Sequence, residues 1–137
     1  MELTLEKIML TLVGLSFASM ICIPLIENGF TQISDQYGYS QFQSLTSTID
    51  SGIFMVLNGT GQQTYQGDVY VPQHVTINSS IIDHGVWYHF NSGSIDTTVF
   101  REYPIGVAIS FNYMPGWYRV RIVMENSSLI TVSFFFP

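Results

Sequence analysis

The chain has little charge. Charged residues make up 10% of its 137 residues, whereas ordinary soluble domains carry about 25%. Four basic residues stand against ten acidic ones, and the formal net charge is −6. So few cations exclude a basic patch for a phosphate backbone, and we expect no nucleic-acid partner. A membrane, neighbouring subunits or glycans must cover the surface that charge does not.

Cysteine and catalytic motifs are also scarce. Cys22 is the only cysteine, so no disulfide within the chain supports the fold, and a small buried hydrophobe is expected there. The chain has three histidines, His74, His84 and His89, but two of them are five apart and would point to opposite faces of one strand, away from a shared carboxylate such as Asp83. No paired carboxylates, nucleophile elbow, phosphate loop or Cys–His pair is present. We expect no enzyme, no metal and no cofactor.

A long apolar segment lies near the N-terminus. Residues 8–26, IMLTLVGLSFASMICIPLI, carry no charge. As a helix the segment would be about 28 Å long, close to the hydrocarbon thickness of a bilayer. Its apolar residues occupy every face, so it is not an amphipathic surface helix. The preceding MELTLEK has two acids and one lysine, which disfavours a cleavable signal peptide with its positive n-region.

In the rest of the chain, the spacing of the apolar residues changes twice. Apolar residues recur every three or four positions from Phe30 to Ile49, which predicts an amphipathic helix continuing to about residue 50. From Ile53 onward, short alternating runs separated by turn residues predict seven strands: 53–57, 64–71, 74–78, 86–90, 106–113, 117–124 and 129–136. The expected fold class is α+β, with a hydrophobic helical domain over 1–50 and an antiparallel β-sandwich head over 51–137.

Three N-glycosylation sequons follow the predicted helix. They begin at Asn58, Asn78 and Asn126, and each lies at a predicted strand end or turn, where a glycan does not break a sheet. Together they favour an extracellular head that carries N-linked glycans. Ordinary polar turn residues are the alternative interpretation.

Glu6, just before the apolar segment, has two interpretations. It is either an interfacial carboxylate placed favourably near a helix N-terminus, or a residue that becomes buried in a helical bundle. The second requires a partner, such as a neighbouring chain's amino terminus, because an unpaired buried charge is costly. At the other end of the chain, alternation in LITVSFFFP places Phe135 opposite the core face, where it could contact a neighbour.

The architecture resembles archaeal type IV pilins and the related archaellum filament proteins. The resemblance covers the whole chain and is carried by IMLTLVGLSFASMICIPLI, the polar LTSTID segment, GDVYVPQHVTI, and the late GWYRVRI and SLITVSFFF strands. It implies an immunoglobulin-like β-sandwich head on the outside of a filament whose core is packed helices. The residues that would pack in that core are Ile8, Leu12, Gly14, Leu15, Ala18, Ile21 and Leu25.

The chain departs from this family in two respects. The basic-residue-plus-glycine cleavage site of prepilins is missing, so either Met1 begins the mature chain or no processing occurs. Glu6 lies one position later than the acid of bacterial pilins would if Met1 is the mature start. No role of that acid is therefore carried over to Glu6.

The expected function is structural. The chain would be the subunit of an extracellular, glycosylated archaeal pilus used for adhesion, held in the cytoplasmic membrane before it joins a homopolymer of identical subunits. The alternative is a single-span membrane protein with an outward β-head, such as an archaellum stator component or a receptor. A viral envelope or capsid protein is a third option.

Overall fold

The computed structural model describes residues 4–59, 64–109, 111 and 114–137. Its elements are α1 (Leu5–Asn58), β1 (Thr64–Val71), β2 (Val75–Ser80), β3 (Gly85–Asn91), β4 (Asp96–Glu102), β5 (Gly106–Ile109), β6 (Gly116–Asn126) and β7 (Leu129–Phe135). The α+β class is confirmed: one long apolar helix precedes two sheets in a β-sandwich-like arrangement.

Helix α1 is longer than the sequence predicted. It ends at Asn58 rather than near residue 50, and the predicted strand over 53–57 is wrong, because that segment forms the last turns of α1. Its buried apolar side chains are spaced by three or four residues: Phe42, Leu45, Ile49, Ile53 and Val56. The run IFMVL therefore continues a helical stripe, and its β-branched content is overridden by that period.

The strands form two sheets. One has the order β1-β6-β7-β5 and the other β2-β3-β4. Among the described strands, all pairs are antiparallel except β5 with β7, which run parallel, so the four-stranded sheet is mixed. An isolated bridge between Ile77 and Phe111 joins β2 to the segment after β5. The Ser79 hydroxyl strengthens this contact between β2 and β5: it donates to the Ile109 carbonyl and accepts from the Ile109 amide.

The strand set differs from the predicted one in two places. Strand β4 was not predicted, because its sequence DTTVFRE lacks apolar alternation, and most of its residues are exposed. The predicted strand over 106–113 is observed as β5 over Gly106–Ile109, and its residues 110, 112 and 113 lie outside the described residues. Among the described residues, the number of strands is seven, as predicted, but the set of strands is different.

The hydrophobic core combines the C-terminal part of α1 with both sheets. The Phe42 ring stacks on Phe90 of β3, with centroids 5.5 Å apart. Gly52 lies against Ile122 of β6 and Tyr65 of β1, so close that a Cβ there would be 2.6 Å from Ile122. The chain accordingly divides into compact units between Ser34 and Asp35. The predicted division at 50/51 falls inside α1, whose buried stripe belongs to the second unit.

Candidate assembly surface

The first compact unit exposes its apolar side chains. Within α1, an 18-residue window near the N-terminus is long and apolar enough to cross a membrane, and none of it is buried. Large hydrophobic side chains such as Leu10 and Met20 are each 75% exposed. A folded monomer in water does not keep such a surface uncovered, because burying it is worth about 25 cal/mol per Å². An exposed apolar surface of this extent is typical of a segment that contacts lipid or other protein.

The predicted core-packing residues of this segment form two neighbouring stripes. Helical spacing places Ile8, Leu12 and Leu15 on one stripe. The second stripe consists of Gly14, Ala18, Ile21 and Leu25, about a third of a turn away. All seven side chains are exposed, and a Cβ added at Gly14 would meet nothing within 4 Å. Gly14 and Ala18, four residues apart, are the small pair that allows two helix backbones to approach closely.

Two hydroxyl side chains of this segment, Thr11 and Ser19, are compatible with apolar surroundings. Thr11 Oγ1 donates to the Lys7 carbonyl at 2.8 Å, and Ser19 Oγ donates to the Leu15 carbonyl at 2.9 Å. These hydroxyls are satisfied inside their own helix, so lipid or helix contact leaves none of them unpaired. Pro24 lies inside α1 and cannot donate to the carbonyl one turn earlier. The helix continues through it to Asn58.

Glu6 and Cys22 lie on this exposed helix. Glu6 is in the first turn of α1, where a carboxylate is favourable beside the positive end of the helix dipole. Within the described residues it makes no hydrogen bond or ion pair. Cys22 is a free, exposed thiol, so the burial expected for it does not occur within one chain.

The three sequon asparagines are all exposed; the settings of Asn58 and Asn78 differ from those predicted, whereas Asn126 lies at a strand end as predicted. Asn58 is the last residue of α1 rather than the end of a strand, and Thr60 of its sequon lies outside the described residues. Asn78 lies within β2, directly opposite Trp87. Asn126 ends β6, and its Oδ1 accepts from the amide and the hydroxyl of Ser128, each at 2.8 Å.

A polar cluster inside the second unit was not foreseen from the sequence. Tyr103 Oη donates to Asp50 Oδ1 at 2.7 Å, which ties the loop after β4 to α1. Burial is the main cause that raises the pKa values of Tyr88 and Tyr103. The Tyr88 hydroxyl is close enough to Tyr103 to influence its pKa, but it has no partner of hydrogen-bond geometry among the described residues. Only the three-dimensional fold brings residues 50, 88 and 103 together.

The three histidines lie in two turns and on one strand. His74 and His84 are turn residues with positive φ, and His89 on β3 contacts Asp96 across the strand pair, with Nε2 and Oδ1 2.6 Å apart. Among the described residues, no three His, Cys, Asp or Glu side chains are grouped as metal ligands.

Comparisons with protein-family models, curated proteins and solved structures found no match to this chain.

Proposed function

We propose that this chain is a structural subunit of an extracellular filament of the archaeal type IV pilin class. Subunits would polymerise through the apolar part of α1, carry N-linked glycans on their heads, and serve adhesion. Before assembly the same segment would sit in the cytoplasmic membrane. The observation that carries the proposal is an unburied, all-round apolar segment joined in one helix to a segment that fills the core of a β-domain.

The two halves of α1 differ in burial. Residues 42–56 bury a stripe against the sheets of their own unit, whereas the apolar window near the N-terminus buries nothing. A helix that is hydrophobic on every face needs apolar neighbours on every face. Identical helices from other subunits supply them in a polymer, and loss of apolar surface from water drives the association.

A second candidate function is a single-span membrane anchor with a β-domain outside. The length of the apolar window favours it, because about 20 apolar residues cross a bilayer once as a helix. The two proposals differ in what surrounds Gly14 and Ala18: tightly packed helices in the filament, and fluid lipid around the anchor.

Side chains of increasing size at position 14 test the filament proposal. The chain has open space at this position, and leucine is favourable inside a membrane. Gly14→Leu should leave the β-domain folded and the chain inserted in the membrane, yet abolish filaments, while Gly14→Ala retains them. Ala18→Leu should behave like Gly14→Leu.

The readouts are negative-stain images of shed surface filaments and mass spectrometry of their subunit. In the filaments, residues 8–26 should resist protease. If Gly14→Leu cells still shed normal filaments of this chain, or if the chain occurs only as a membrane monomer, the filament proposal is wrong. The second of these outcomes supports the single-span anchor.

A further inference from the structure

The outer face of the three-stranded sheet carries an aromatic pair beside a sequon asparagine. Asn78 on β2 is directly opposite Trp87 on β3, and Trp87 is directly opposite Phe100 on β4. Residues directly opposite each other in antiparallel strands point to the same face, with Cβ atoms about 4.5–5.5 Å apart. The three side chains therefore form one row across the sheet.

The two rings are held together but left uncovered. The Trp87 and Phe100 centroids are 4.8 Å apart, and Phe100 also lies over Gly85, where a Cβ would be 2.3 Å from its ring. Phe100 is 45% exposed and Trp87 is partly exposed. Glycine at position 85 thus lets an aromatic ring lie flat on the outside of the sheet. An exposed aromatic surface of this kind on a charge-poor protein indicates a contact site, where another group covers the rings.

We propose that an N-linked glycan on Asn78 supplies that cover, with its first sugar stacked on the Trp87–Phe100 pair. The electron-rich face of an aromatic ring attracts the C–H groups of a pyranose ring. Exposed Thr76 and Thr98 lie two residues along from Asn78 and Phe100 on the same face and offer hydroxyls to the sugar. Asn58 and Asn126 have no such aromatic row paired to them among the described strands.

The attachment is a nucleophilic substitution at a sugar carbon. Nδ2 of Asn78 attacks the anomeric carbon of a lipid-linked oligosaccharide phosphate, so that a C–N bond forms and the C–O bond to phosphate breaks. The lipid phosphate leaves, and Nδ2 loses one proton to water. Ser80 completes the sequon, and its hydroxyl lies 3.1 Å from Asp83 Oδ2.

This inference rests on the glycosylated head of the proposed function and is independent of polymerisation. The first test is made on the full-length chain, purified in detergent from its own cells with Trp117→Phe, so that Trp87 is the only indole. Glycopeptide mass spectrometry should find Asn78 occupied. Acrylamide should quench Trp87 about twofold more strongly in Asn78→Gln than in the parent, because the sugar covers one of the two faces of the indole. Asn126→Gln is the matched control and should leave the quenching unchanged.

A second measurement does not depend on the Trp117→Phe background. Asn78→Gln should lower the Tm of the otherwise wild-type chain by about 3 °C, and it should have no effect when Phe100→Thr or Trp87→Thr is already present.

An unoccupied Asn78, or equal quenching with and without its glycan, overturns the inference. So does an Asn78→Gln effect that persists without the rings. Filaments with bare Asn78 would refute this inference alone, and a stacked glycan without filaments would refute polymerisation alone.

Discussion

The Tyr103 hydroxyl donates to Asp50 Oδ1 at 2.7 Å, and this bond fastens α1 to the loop after β4. Asp50 is partly buried and Tyr103 is 3% exposed, so the bond is largely shielded from water. A hydrogen bond to a charged acceptor in such a place stabilises more than a neutral one does. It holds the buried half of α1 in the unit whose core that half completes.

Removal of the Tyr103 hydroxyl tests this bond. Tyr103→Phe should lower the free energy of unfolding by about 1–3 kcal/mol, because the Asp50 carboxylate keeps its desolvation but loses its donor. Tyr37→Phe is the control, since Tyr37 lies on the same helix and is 67% exposed. Urea unfolding of the full chain in detergent measures both. Equal stabilities for the two variants would show that the bond contributes nothing.

Alkaline pH should unfold this protein through its buried tyrosines. Burial raises the pKa values of Tyr88 and Tyr103 above the ordinary value of 10.0, so above about pH 10 the folded state holds protons that the unfolded state has released. Stability is therefore fully present below about pH 10 and falls as pH rises, by about 1.4 kcal/mol per pH unit for each tyrosine.

Tyr88→Phe separates the two contributions. It should halve the alkaline slope of the unfolding free energy, because one of the two linked protons is gone. At neutral pH it should leave stability unchanged or higher, since the hydroxyl it removes is buried without a hydrogen bond among the described residues. Urea unfolding between about pH 9 and pH 11.5 gives both quantities. An unchanged slope in Tyr88→Phe would contradict the assignment.

Gly52 lies at a close contact between α1 and the four-stranded sheet. A Cβ there would be 2.6 Å from Ile122 Cδ1 and 2.7 Å from Tyr65 Cδ1. Gly52→Ala should destabilise the protein by about 1–3 kcal/mol, although alanine is the better helix former. Gly29→Ala, with nothing within 4 Å, should leave stability unchanged or raise it. Ile122→Val removes the clashing methyl, so the double variant should lose less than the sum of the two single losses.

Much of this fold could be predicted from the sequence, and the errors in the predicted strands have identifiable causes. The predicted strand over 64–71 matches β1, because alternation along TYQGDVYV is strong. The run 53–57 was misassigned because its composition favours a strand, while its burial follows the helical spacing of Ile49, Ile53 and Val56. The parallel pairing of β5 with β7 depends on how distant segments meet, which no local pattern encodes.

Some features of the candidate surface could be predicted from the sequence, and others could not. The apolar segment follows from composition, whereas the seven packing residues are implied by the resemblance to filament proteins; all seven are exposed in the monomer. The row from Asn78 to Phe100 requires the register of three strands, one of which was not predicted. Likewise the Asp50–Tyr103 bond joins residues 53 positions apart. Contacts of this kind follow from tertiary packing and not from local sequence.

The turn before β3 holds a non-glycine residue in a left-handed conformation. His84 has φ of 54°, and its carbonyl accepts a 2.9 Å hydrogen bond from the Tyr103 amide. His84→Val should lower the unfolding free energy by about 1–2 kcal/mol, because a β-branched side chain fits this region poorly. His84→Gly removes the Cβ strain and should leave stability unchanged or raise it by up to about 1 kcal/mol, since the gain is offset by the entropy of a glycine in the unfolded chain. Gln66→Val, at an exposed position of β1, is the control and should be neutral. Urea unfolding that ranks valine at position 84 equal to or above glycine would show that the positive φ imposes no strain.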